Sequence, residues 1–228
     1  LPAKTEKIVH CALTSTQIVA YEGILRAGKE QLLKFHSKGN EKASRMEILS
    51  LLLRLRQICC DSNLIQSNCE ESEDVSSGKI EPMMKILRSS ISSGGKVLVF
   101  SQFVRMLKII ESTLNENGIN YYFLDGSTPR EKRDEQVQAF QNDKNSASVF
   151  LISLKAGGYG LNLTAADTVI HFDPWWNPSV ENQATDRAHR MGQTKSVNAY
   201  KLIAAGTVEE KILKLQDHKK GLIDVAIN

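Results

Sequence analysis

Cysteine is scarce in this 228-residue chain, and its four copies, Cys11, Cys59, Cys60 and Cys69, show no C-x-x-C spacing. That pattern argues against a zinc site or a disulfide frame and for reduced, buried thiols in an intracellular protein. No stretch reaches the ~18 uninterrupted apolar residues of a membrane span. The opening LPAKTEKIVH lacks the apolar core of a signal peptide and begins without methionine, so the chain is expected to be a piece of a longer one. Net charge is small: 29 Lys and Arg against 26 Asp and Glu leave +3. This does not demand a nucleic-acid partner, but it permits one wherever basic residues cluster. There is no G-x-x-x-x-G-K-[ST]; the nearest approach, Gly94, Gly95 and Lys96, runs on into Val97. No Asp-Glu-x-His follows a strand either, since Asp134 and Glu135 fall inside a helical stretch and read as a solvated face. Both gaps exclude a phosphate cradle and Mg²⁺ ligands of the chain's own.

What is present is ordinary for a globular protein, with 41% hydrophobic and 24% charged residues. Residues 7–13 look like a short strand, and Thr14 with Gln17 fits a capping box opening a helix. A second helix over 45–60 is apolar around most of its circumference and needs protein cover. The polar, serine-rich stretch 61–78 breaks all periodicity and marks a boundary. Beyond it helices and short apolar strands alternate: helix 79–92, strand 97–100, helix 103–117, strand 121–124, helix 129–141 and strand 149–152. Strand 168–172, helix 179–190, strand 197–203 and a helix from Val208 to about Val225 complete the series. Continuous apolar strands separated by helices imply an α/β fold, a parallel sheet covered by helices on both faces and preceded by a helical arm. The expected division is 1–76 for strand, arm and acidic loop, 77–206 for the sheet domain and 207–228 for a terminal helix.

Ligands of such sheets bind beyond the C-terminal strand ends, here Ser101–Gln102, Asp125–Thr128, Ser153–Gly160 and Asp173–Pro178. The stretch QATDRAHRMGQ (183–193) would, on a helix, bring Gln183, Arg187 and Arg190 to one face. Two neighbouring guanidinium groups make a planar clamp for phosphate oxygens; alone, the same pattern is equally a solvated helix face. LISLKAGGYGLNL (151–163) carries a strand into a glycine-rich loop whose amides could face an anion, although a plain tight turn would serve as well. Gly158 and Gly160 only begin a dinucleotide fingerprint, since Leu163 stands at its third glycine. HFDPWWNP (171–178) sets two tryptophans between prolines, one suited to anchoring and one to contact with a sugar or base. In FLDGST (123–128), Thr128 and Glu131 form a second capping box, with Pro129 at the first helical turn.

With VLVFSQF (97–103), these stretches in this order resemble the Swi/Snf-type ATPases of helicase superfamily two, from about Ser77 to the end and more loosely along the arm. The double-tryptophan loop is more similar to bacterial and Rad-type DNA-repair branches than to nucleosome-sliding ones. Two positions depart from the family: Tyr159 is bulkier than usual, and Leu154 stands where a small residue is common.

The resemblance implies a RecA-like second motor lobe of an ATP-dependent double-stranded DNA translocase or remodeller. Arg187 and Arg190 match the arginine fingers that reach a nucleotide held by the first lobe, and Gln183, Gly158 and Gly160 line the same cleft. Lys155 and Trp176 match DNA-touching residues, while Ser101, Gln102, Ser127 and Ser153 fall where the family contacts backbone phosphates. It further implies that ATP and Mg²⁺ are held mainly by the first lobe of the same polypeptide, so the isolated chain should be inactive. Expected partners are that lobe, double-stranded DNA and DNA-bound proteins, with no membrane, in bacterial cytoplasm or a eukaryotic nucleus. Two other readings share much of the pattern. One is a non-catalytic nucleic-acid-binding module that keeps the fold. The other is an RNA helicase of the superfamily, disfavoured because Ala184 and Asp186–His189 follow the Swi/Snf spelling.

Overall fold

The computed structural model describes residues 1–37, 41–65, 77–142, 147–156 and 160–227. Cys69, the acidic run 66–76 and the loop core that includes Gly158 and Tyr159 lie outside the described residues. In chain order the elements are β1 (Lys4–Cys11), α1 (Ser15–Ser37), α2 (Glu41–Cys60), a 3-10 turn, α3 (Ile80–Ser92), β2 (Val97–Ser101), α4 (Val104–Glu116), β3 (Tyr121–Leu124) and α5 (Arg130–Asn142). They continue with β4 (Val149–Ser153), β5 (Thr168–His171), α6 (Pro178–Thr185), β6 (Val197–Ala204) and α7 (Val208–Ile227).

Six parallel strands lie in the order β1-β6-β5-β2-β4-β3. Alternation along β2 explains its unbroken apolar run, because both faces are covered. Val97 and Val99 pack with Met83, Leu87, Leu107 and Ile110 of α3 and α4. Leu98 and Phe100 pack with Phe140 of α5 and Ala184 of α6 on the other face. No helix among the described residues is long and apolar enough to cross a membrane.

The strand expected to travel with the arm is instead an edge of this sheet, with β1 in register along β6 from Lys4–Val197 to Cys11–Ala204. The chain then leaves as the α1–α2 hairpin, whose base packs Leu51, Leu55 and Cys59 against Ala204 and Val208. The first capping box forms as expected: Gln17 N donates to Thr14 Oγ1 at 3.2 Å, and Thr14 N donates to Gln17 Oε1 at 3.0 Å. Gln17 also ties the hairpin together, its Nε2 donating to Ile58 O at 2.6 Å and its Oε1 accepting from Gly78 N at 2.9 Å. At Gly78 the chain re-enters so closely that a Cβ would lie 1.8 Å from Ala12 O, which restricts the position to glycine.

At the second box the Thr128 hydroxyl turns back to Asp125, accepting from its N at 3.1 Å. The expected helix 179–190 is also corrected. Asn177 caps α6 by accepting from Ser179 N at 3.1 Å, but the helix stops at Thr185. The Arg187 carbonyl, which a helix would use four residues on, accepts from Leu163 N at 2.9 Å instead. With Ala188 fully buried in the core, the chain continues in tight turns.

Candidate nucleotide and nucleic-acid site

Because all strands are parallel, the loops after β5, β2, β4 and β3 lie side by side along one sheet edge. Short polar links join them. Ser101 Oγ donates to Asp173 Oδ1 at 2.5 Å, and Leu154 N donates to Ser101 O at 2.9 Å. Burial pushes the Asp173 carboxyl up, against the Ser101 bond and the Lys79 and Arg56 charges. Beneath these loops Lys79 Nζ contacts Glu209 Oε1 and Oε2 at 2.8 and 2.7 Å, and also donates to Phe172 O and Leu202 O. Burial alone would depress this ammonium, but Glu209 outweighs it and holds Lys79 charged, with its pKa raised.

Ser101 and Ser153, expected at the phosphate backbone, are 1% and 3% exposed. Their hydroxyls are already engaged, Ser153 Oγ accepting from Ala156 N at 3.3 Å, so they shape loops from within. Gln102 is half-buried, and its Nε2 is buried without a partner. Ser127 is exposed at the tip of its loop, with N and Oγ both donating to Asp125 Oδ1 at 2.9 and 2.7 Å. Lys155 projects, exposed, from the turn after β4. Gly160 takes a left-handed φ of 65°, with nothing within 4 Å of where a Cβ would stand.

The turn after α6 carries the arginines beside that glycine-bearing segment. Arg190 is exposed, and its Nη1 donates weakly to Leu161 O at 3.4 Å. Arg187 is half-buried; its Nε has no partner, and burial followed by the neighbouring Arg190 charge lowers its pKa. Gln183 is exposed on α6 itself. So Arg187 and Arg190 are neighbours after all, held by turns rather than by a helix face. The same turn is latched from the start of the chain. His189 Nε2 pairs with Pro2 O at 2.7 Å, Lys4 Nζ with Asp186 Oδ1 at 3.3 Å, and Val197 N donates to Ala3 O at 2.9 Å.

Sequence reasoning missed the residues that hold the double-tryptophan loop. Arg56 of α2 reaches it from the arm, with Nη2 donating to Pro174 O at 2.8 Å. Glu181 Oε1 accepts from Trp175 N at 2.7 Å and from Gln216 Nε2 of α7 at 2.8 Å. Lys201 Nζ lies 2.7 Å from Glu181 Oε2. Below, His171 Nε2 meets Thr185 Oγ1 at 2.9 Å, and complete burial drives the imidazole pKa down to about 4. The available signal was a charge inside an apolar helical run, and Arg54 carries the same signal while facing solvent.

The helicase conserved C-terminal domain model matches residues 78–192, and the SNF2-related domain model matches residues 1–64. An uncharacterised ATP-dependent helicase of Mycoplasma pneumoniae is 39% identical over 223 residues, covering 98% of this chain and 21% of that protein. The human SWI/SNF-related matrix-associated actin-dependent regulator of chromatin subfamily A member 1 is 37% identical, with coverage of 100% and 22%. Among solved structures, the Sulfolobus solfataricus SWI2/SNF2 ATPase core in complex with dsDNA superposes with a TM-score of 0.80 at 38% identity, covering 97% of this chain and 45% of that one. The C-terminal part of the Fun30 ATPase domain gives a TM-score of 0.80 at 28% identity, with coverage of 95% and 90%. The chain spans about a fifth of the length of the curated relatives it matches.

Proposed function

This chain belongs to the Swi/Snf-type ATPases of helicase superfamily two, as their C-terminal helicase lobe, and from that premise we propose that it is the second motor lobe of an ATP-dependent double-stranded DNA translocase. The observation that carries the reading is the pair Arg187 and Arg190, adjacent, cationic and without a carboxylate pair among the described residues. Two neighbouring guanidinium groups, one half-buried and one exposed, fit the oxygens of a transferring phosphoryl group. With no G-x-x-x-x-G-K-[ST] in the 228 residues, Mg²⁺ and the phosphate cradle are assigned to a first lobe of the same polypeptide. ATP bound there supplies the scissile phosphoanhydride. Arg187 and Arg190 close over it from this side and neutralise developing charge, an effect worth ~10³–10⁵ in rate for such fingers. Gln183 and Gly160 line the approach.

On the other loops Lys155 offers a point charge to a DNA phosphate and Trp176 a flat face to a sugar or base. Gln102 and Ser127 extend the path, while Ser101 and Ser153 fix its loops. The motor lobe proper is 77–206 joined by β1, with 207–228 bracing it. Duplex DNA and DNA-bound proteins are its partners, in bacterial cytoplasm or a eukaryotic nucleus.

The test is Arg187→Ala and, separately, Arg190→Ala in the full-length parent. DNA-stimulated phosphate release should fall to background while duplex affinity stays within a few-fold. The isolated chain with saturating duplex should release no phosphate above background. If both variants keep most of their turnover, the non-catalytic binding module is the better reading.

A further inference from the structure

Arg56 lies near the end of α2, within LLLRLRQICC, and is 3% exposed. Its guanidinium carbon sits 5.3 Å from the Trp175 ring centre, 5.2 Å from that of Trp176 and 5.9 Å from that of Phe103. Nη2 donates to Pro174 O, the carbonyl that opens the double-tryptophan loop, yet Nε is buried with no partner. A desolvated N–H without an acceptor is destabilising, so simple packing would favour Met or Leu here. The planar cation instead suits a site bounded by ring faces, where arginine stacks and lysine does not.

The loop is gripped from two directions. The Trp175 backbone is fixed by Glu181 and Gln216, from α6 and α7. From the arm, Arg56 reaches both indole rings, that of Trp176 at 5.2 Å and that of Trp175 at 5.3 Å.

We propose that Arg56 is a positioning residue through which the helical arm sets the orientation of the Trp176 indole for its contact with duplex DNA. This rests on the reading of Trp176 as a DNA contact. It also joins the arm to the gripping loop: a shift of α2 moves the guanidinium, and the indole beside it follows.

Trp175 and Trp176 are the only two tryptophans in the chain, so tryptophan emission, excited selectively over that of the five tyrosines, reports on this loop alone. Arg56→Met keeps the stem and removes the cationic plane, while Arg56→Lys keeps the charge without the plane. In the 228-residue chain the acrylamide quenching constant should rise about two-fold in Arg56→Met, and less in Arg56→Lys, as the ring faces lose their cover. The emission change on adding a 30-base-pair duplex should fall by about half in Arg56→Met. Far-UV dichroism and melting establish that each variant is folded. Wild-type quenching in a folded Arg56→Met chain would overturn the proposal. Failure of both variants to fold would also overturn it, by making Arg56 a core residue. If wild-type emission ignores the duplex while Arg56→Met still alters quenching, Trp176 is not a DNA contact, and only its positioning by Arg56 stands.

Discussion

Two populations of charged residues lie along the same sheet edge. Beneath the loops, Lys79, Glu209, Asp173 and Arg56 are each under 5% exposed, and each is bonded to named groups. On the loops, Arg187, Arg190 and Lys155 make no ion pair among the described residues. The first population holds the platform in shape; the second faces outward with donor capacity left over. A buried ion must be compensated inside the fold, because an uncompensated one is strongly destabilising. An ion at the surface is under no such demand, so its lack of a partner leaves it available to a ligand. The difference can be tested by stability, with the platform sensitive and the outward set indifferent.

The largest effect is expected from Glu209→Ala, which leaves Lys79 charged and buried. Breaking a buried pair in this way costs about 3–5 kcal/mol, read from urea denaturation of the isolated chain. Adding Lys79→Met should recover much of that loss, because it removes the orphaned charge along with its partner.

Next comes His171. Its folded-state pKa of about 4 lies below the ~6.5 of an unfolded histidine. Between those values the unfolded chain binds the proton first. The contribution is therefore complete above pH ~6.5 and is lost as pH falls towards about 4, up to roughly 3 kcal/mol in all. Denaturation midpoints across that window should drop more steeply for wild type than for His171→Gln. Parallel curves would mean that the imidazole titrates normally.

The smallest stability effect belongs to Lys155→Ala, whose denaturation midpoint should match wild type. Its signature lies elsewhere: in the full-length parent, the slope of log affinity for duplex against log salt should shrink by about one unit. An unchanged slope would remove Lys155 from the DNA path.

Much of the fold was legible because the strands advertise themselves. Val97–Phe100 and Val149–Ile152 are apolar on both faces, and Tyr121–Leu124 matches β3 residue for residue. Thr14 and Gln17 form their box because that pairing is local. What could not be read were relations between distant segments. β1 looks like the start of an arm until β6, almost two hundred residues later, supplies its partner. α6 carries helical spacing through Arg190, but the chain tightens into turns after Thr185, with Arg187 N on Ala184 O and the Arg187 carbonyl accepting from distant Leu163. Ser101 and Ser153 sit at strand ends as expected, yet side-chain and backbone partners turn them inward. Arg56 and Arg54 are identical in composition terms, and only the packing of α2 against the tryptophans separates them.

The latch at the start of the chain has a mechanical consequence. β1 and β6 run parallel through eight paired positions, so a pull along β1 loads their ladder in shear, with many bonds sharing the force at once. Residues 2–4 also hold His189 and Asp186, on either side of Arg187. Tension entering at residue 1 meets the Pro2–His189 tie before it reaches the ladder, and the Lys4–Asp186 tie at its first rung. The stiff strand behaves as an anchor and the short run ahead of it as a tendon, inserted on the very turn that carries the arginines.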